Sequence, residues 1–171
     1  KEILNIILLT NSYSPKRNIS KEQFLKIKSD WLIRQQNLNL IETYLSKNDN
    51  LENESNLIRY YLDYYLSRSD LNKACNIFNK INSQINDDYV LKFKVYCLIS
   101  ENKNEEAQLL FDLFKEGGLS DIFFEKKFAY LIGYDETADK EISEKSLLDF
   151  HLSHRTDPNF NFEPKIDTSK M

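Results

Sequence analysis

"SDLNKACNIFNKI", residues 69–81, is followed at a spacing of 33 residues by "NKNEEAQLLFDLF", residues 102–114. In the first stretch Ala74, Ile77, Phe78 and Ile81 are apolar, and in the second Ala107, Leu110, Phe111 and Phe114. Both sets run i, i+3, i+4, i+7, the spacing of one buried helix face. The same shift brings Ile41 onto Ala74 and Ala107, and Leu45 onto Phe78 and Phe111. Upstream it aligns Phe24 with Leu57 and Val90, Ile27 with Tyr60 and Phe93, and Leu32 with Tyr65 and Leu98. An ungapped repeat of this period marks units that bury their apolar faces only by stacking on their neighbours.

Each unit reads as two helices. First helices are expected over about 20–35, 53–68 and 87–101, with Ser20, Asn53 and Asp87 as N-caps; Ser20 and Gln23 form a capping-box pattern. The short polar turns "QNLN", "SDLN" and "NKNE" make each pair an antiparallel hairpin. "GGLS" (117–120) ends the third hairpin, and "DIFFEKKFAYLIG" (121–133) opens a fourth whose partner helix comes late, over 143–154. The resulting segments are an N-terminal capping helix and loop (1–19), repeats over 20–52, 53–85 and 86–118, an irregular closing hairpin (119–154), and an extended or disordered tail (155–171). Phe160 and Phe162 in that tail are expected to dock on the body of the protein or on a neighbour. The apolar run "ILNIILL" (3–9) is too short to span a bilayer and reads as a capping helix rather than a signal-peptide core.

Composition agrees with a helical, folded chain. Among 171 residues there are three Gly and three Pro, too few for a sandwich or barrel that needs frequent turns, while 11 Phe and 10 Tyr supply a core. A net charge of -4 argues against nucleic acid, whose phosphates require a basic surface. Cys75 and Cys97 lack metal-ligand spacing and read as two separate buried side chains. His151 and His154, beside Asp149, have an i, i+3 spacing that can present two imidazoles on one side of a helix, but without the HExxH glutamate they read as a solvated helix end and not as a metal site. No phosphate-binding glycine loop and no nucleophile signature occurs, so the chain is expected to be non-enzymatic, without cofactor or membrane insertion. Compartment stays open, with the cytoplasm slightly favoured and the periplasm the alternative. The chain, which begins at Lys1, is expected to be a segment of a longer protein.

The hairpin with Tyr65 near the end of its first helix, the turn "SDLNKA", and Ala74 and Phe78 in its second helix resembles the tetratricopeptide repeat family; Leu98, "NKNEEA", Ala107 and Phe111 repeat the pattern. The chain departs from that family where Ser29, Leu62 and Val95 replace its first-helix glycine and Asn53, Asn86 and Leu119 its closing proline. The resemblance implies an all-α, right-handed superhelical solenoid. It also implies an inner face lined by Lys26, Arg59 and Lys92, then Asp30, Asp63 and Tyr96, then Ile33, Leu66 and Ile99. Such a face, with Tyr89 and Tyr96 exposed beside Lys92, suits a protein or peptide partner carrying acidic and apolar groups. The competing reading makes Lys26 with Asp30 and Arg59 with Asp63 ordinary i, i+4 pairs on a solvated face. The expected function is a protein-binding scaffold; an accessory domain of a multi-domain enzyme, envelope-associated or not, and end-to-end self-association are the alternatives.

Overall fold

The computed structural model describes residues 17–48, 51, 54–81 and 85–163, and the expectations for 1–16, for Asn53 as an N-cap and for the tail over 164–171 lie outside them. Among the described residues the fold is all-helical, with eight α-helices, one 3-10 turn and no strand. The chain divides into two compact units, residues 1–117 and 118–171.

In the first unit α1 (Lys21–Gln35), α3 (Ser55–Leu66) and α5 (Asp88–Ser100) are the first helices, and α2 (Leu38–Lys47), α4 (Leu71–Asn76) and α6 (Asn104–Glu116) the second helices. Each first helix packs on the second helix that follows it, and α1, α3 and α5 also pack side by side in chain order. Local chemistry explains most boundaries. Ser20 and Gln23 close the capping box expected for α1, with the Gln23 N–H donating to Ser20 Oγ at 3.2 Å and the Ser20 N–H to Gln23 Oε1 at 2.8 Å. Asp87 caps α5 by accepting from the Val90 N–H at 3.1 Å. The second helix of the middle hairpin is shorter than its apolar spacing predicts. It stops at Asn76 and continues as a 3-10 turn over Ile77–Asn79, because Asn76, Asn79 and the β-branched Ile77 hold a helix weakly.

The repeat recurs in the backbone. Gln36, Ser69 and Asn102, successive at 33 residues, all take the left-handed conformation, with φ of 51°, 57° and 60°. Their N–H groups donate to the carbonyls of Ile33, Leu66 and Ile99 at 3.0, 2.9 and 2.9 Å, so residues expected to line a groove also supply the acceptors that close each turn. In the second and third turns the next N–H reaches further back, Asp70 to Tyr65 at 3.0 Å and Lys103 to Leu98 at 2.9 Å. These paired bonds are the usual solution for helix-terminal carbonyls, here made without glycine.

The core of this unit is a continuous set of fully buried side chains, including Leu32, Ile41, Leu45, Leu57, Leu62, Ala74, Phe93 and Ala107. All but Ala107 and Ala74 are large, and each lies on a helix face that another helix covers.

In the second unit α7 (Ile122–Leu131) and α8 (Leu147–Thr156) pack together, capped by Asp121 and Ser146. Gly133, at φ 85°, ends α7 with the Tyr134 N–H bonded to the Ala129 carbonyl at 2.8 Å. Lys127 is fully buried; its ammonium donates to the Asp139 carbonyl and sits 5.2 Å from the Phe123 ring centroid. Burial holds Lys127 below the ordinary lysine value, against the opposing pull of Asp139. Arg155 and Thr156, expected in the extended tail, are helical, while Phe160 and Phe162 meet the Phe150 ring at 5.6 and 5.0 Å, on the body of the protein as one of the two expectations for them had it.

Candidate functional site

The ionisable side chains that the first unit brings together lie in the joints between consecutive hairpins. At the first joint Glu54 is fully buried where α3 begins. Its carboxylate accepts from the Ser29 hydroxyl of α1 and, at 2.7 Å, from the Tyr44 hydroxyl of α2. Lys28, also buried, lies over the Tyr44 ring at 4.5 Å. Burial pushes the Glu54 carboxyl above the usual range, with the two hydroxyls and Lys28 pulling the other way. Burial lowers Lys28 and, with the Glu54 charge behind it, raises the Tyr44 hydroxyl strongly.

At the second joint the Arg59 guanidinium of α3 donates two bonds to the Asp87 carboxylate, at 3.0 and 2.7 Å, and lies over the Tyr89 ring at 5.3 Å. The Tyr89 hydroxyl donates to Asp63, whose carboxyl is raised by burial and partly restored by that hydroxyl and by Arg59. Also between the first and second hairpins, Glu42 of α2 accepts from the ammonium of Lys80, just past the 3-10 turn, and, at 3.1 Å, from the Tyr61 hydroxyl of α3. The Lys80 bond holds Glu42 below its ordinary value. A disulfide between Cys75 of α4 and Cys97 of α5, with Cα atoms 5.5 Å apart, joins the second and third hairpins covalently.

These joints share one geometry. First-helix partners are 25, 28 and 26 residues apart, for Ser29 with Glu54, Arg59 with Asp87 and Asp63 with Tyr89, short of the 33-residue period. Glu42 of α2 and Lys80, just past the 3-10 turn that follows α4, are 38 apart, beyond the period. First and second helices run in opposite directions, so both departures describe one displacement. At each joint the first-helix partner lies five to eight residues nearer the start of the next hairpin than an in-register stack would place it, a slide of that hairpin toward its turn.

That slide redistributes the residues expected to line a binding face. Lys26, Arg59 and Lys92 sit in three different surroundings. Lys26 is exposed on α1, Arg59 is engaged with Asp87, and Lys92 is buried at 8% exposure. Tyr89 and Tyr96, expected to be exposed, are 7% and 3% exposed. Arg59 pairs with Asp87 of the next hairpin rather than with Asp63 one turn away. Leu66 is buried, while Ile33 and Ile99 are half-buried. The two cysteines, read as separate, are bonded, α4 and α5 packing against each other. Sequence reasoning also missed Glu54. Its one signal is a carboxylate between Asn53 and Ser55, where a helix N-terminus was expected, and this suggests a cap rather than burial.

In the second unit His151 is half-buried and held below the ordinary histidine value by burial, then by His154 and Arg155. His154 meets the edge of Phe160 at 5.1 Å. Among the described residues no group of three His, Cys, Asp or Glu side chains is arranged to hold a metal ion, and no helix is long and apolar enough to cross a membrane. The chain matches no protein-family model, no curated protein and no solved structure.

Proposed function

We propose that this chain is a non-catalytic helical-repeat scaffold that binds another protein, and that it works where Cys75 and Cys97 stay oxidised. The observation that carries the reading is the use of its ionisable groups. Glu54, Asp63, Arg59, Asp87 and Glu42 each bond across a joint between hairpins, which fixes the stagger of the array and leaves the helix surfaces for recognition. A superhelical, tetratricopeptide-like solenoid is the architecture that this reading extends to. The disulfide supports an extracytoplasmic or otherwise oxidising compartment, since reducing cytosol keeps such thiols free.

The binding test is cross-linking capture from native extract with the wild-type chain beside Phe93→Asp, which removes a fully buried ring and unfolds the unit. Proteins enriched by the folded chain alone support the scaffold; equal capture by both chains overturns it. Alkylation of the native protein under denaturing conditions tests the compartment: no label on either cysteine is expected, and two labelled thiols contradict it.

A further inference from the structure

The outward face of α6 carries a patch that the packing of its own unit leaves unused. Ala107 and Phe111 of this helix are buried, but Leu109 and Leu113, one turn apart on the opposite side, are 65% and 54% exposed. Glu105, Asp112 and Glu116 are exposed on the same strip, and Glu106 flanks it. Isolated exposed leucines are ordinary, but two at i, i+4 inside a ring of four carboxylates form a small apolar patch of one charge sign. Helix stability explains only half of that ring. Glu105 and Glu106 lie in the first turn, where the helix dipole favours acid; Glu116 is the last residue, where it disfavours acid. Asp112, in the second half of the helix, accepts a bond from Gln108 at 2.8 Å.

We infer that this face of α6 docks a cationic amphipathic helix of a partner protein, with aliphatic side chains at i, i+3 or i+4 meeting Leu109 and Leu113 and flanking Lys or Arg meeting the carboxylates. This rests on the scaffold reading and names the partner's chemistry. Charge selects the occupant. A second copy using the same face sets four carboxylates against four on a chain whose net charge is already -4. A helix fits the site's shape, since one convex helix offers ridges for another helix, and the described residues present no sheet edge for a strand.

The test uses the full chain and a labelled synthetic Leu/Lys amphipathic helix, followed by fluorescence anisotropy at low and moderate salt. Saturable one-to-one binding is expected, weakened by salt, about tenfold weaker for Leu109→Gln with Leu113→Gln, and lost for the Leu/Glu version of the peptide. Asp112→Lys with Glu116→Lys should reverse that preference, while Asp135→Lys with Glu136→Lys, exposed in the other unit, should leave it unchanged. All substituted positions are on the surface, so unchanged circular dichroism and melting are expected for each variant. Equal binding by wild type and the double Gln variant, equal effects from the distant charge reversals, or sedimentation as a dimer lost in the Gln variant would each overturn the assignment. If extract capture succeeds but is indifferent to Leu109→Gln with Leu113→Gln, the scaffold stands and this surface falls.

Discussion

Glu54 is the residue on which the first joint turns, a carboxylate with no water contact held by two hydroxyls from two other helices. Its carboxyl is raised by burial, as is that of Asp63, so each contributes stability that is fully present below the unfolded carboxylate range and lost as pH rises through the folded value. Glu42 and Asp139, lowered mainly by the bonds from Lys80 and Lys126, act in the opposite sense, with stability present above that range and lost as pH falls. Urea midpoints therefore distinguish Glu54→Gln: relative to that variant, wild type should lose stability as pH rises above the ordinary carboxylate range. Parallel curves would contradict the buried carboxylate. The apolar core gives a second prediction at this scale. Phe93, fully buried, should cost about 3–5 kcal/mol when cut to alanine, and half-buried Phe78 clearly less, measured by the same midpoints. Sequence periodicity places both rings on core columns, but it has no access to which of them a neighbouring hairpin covers.

At the scale of elements, the hairpins were legible because their signals are local. Ser20 and Asp87 cap helices where expected, and the polar turns fall where the apolar columns pause. The shortened α4 was not legible, since Ile77, Phe78 and Ile81 keep helical spacing while their neighbours Asn76 and Asn79 break the helix. The recurrent left-handed residue of each turn gives a prediction of gain. Ser69 sits at φ 57° with a Cβ that this conformation disfavours, so Ser69→Gly should raise stability by up to about 1 kcal/mol by thermal melting. A loss of that size would mean that the hydroxyl or the unfolded chain dominates there.

At the scale of the molecule, the first unit is three hairpins held in a fixed slide by ion pairs, buried hydroxyl bonds and one disulfide. Replacing Cys75 and Cys97 together with alanine should lower stability by about 2–4 kcal/mol, and a reductant should do the same to wild type without affecting the variant. The slide is what sequence alone did not disclose. A repeat states which residues occupy equivalent positions, but lateral contact depends on how far one helix advances past the next. Lys92, Tyr89 and Tyr96, expected on a binding face, are buried in the packed interior. The most direct test of the slide is a double-mutant cycle between Arg59→Ala and Asp87→Asn, since asparagine keeps the N-cap of α5 and removes only the charge. With Arg59 opposite Asp87, the two changes should be non-additive by about 0.5–1 kcal/mol, the coupling of a partly exposed bidentate pair. Strict additivity, as expected if hairpins pack in register and Arg59 lies beside Lys92, would contradict the account.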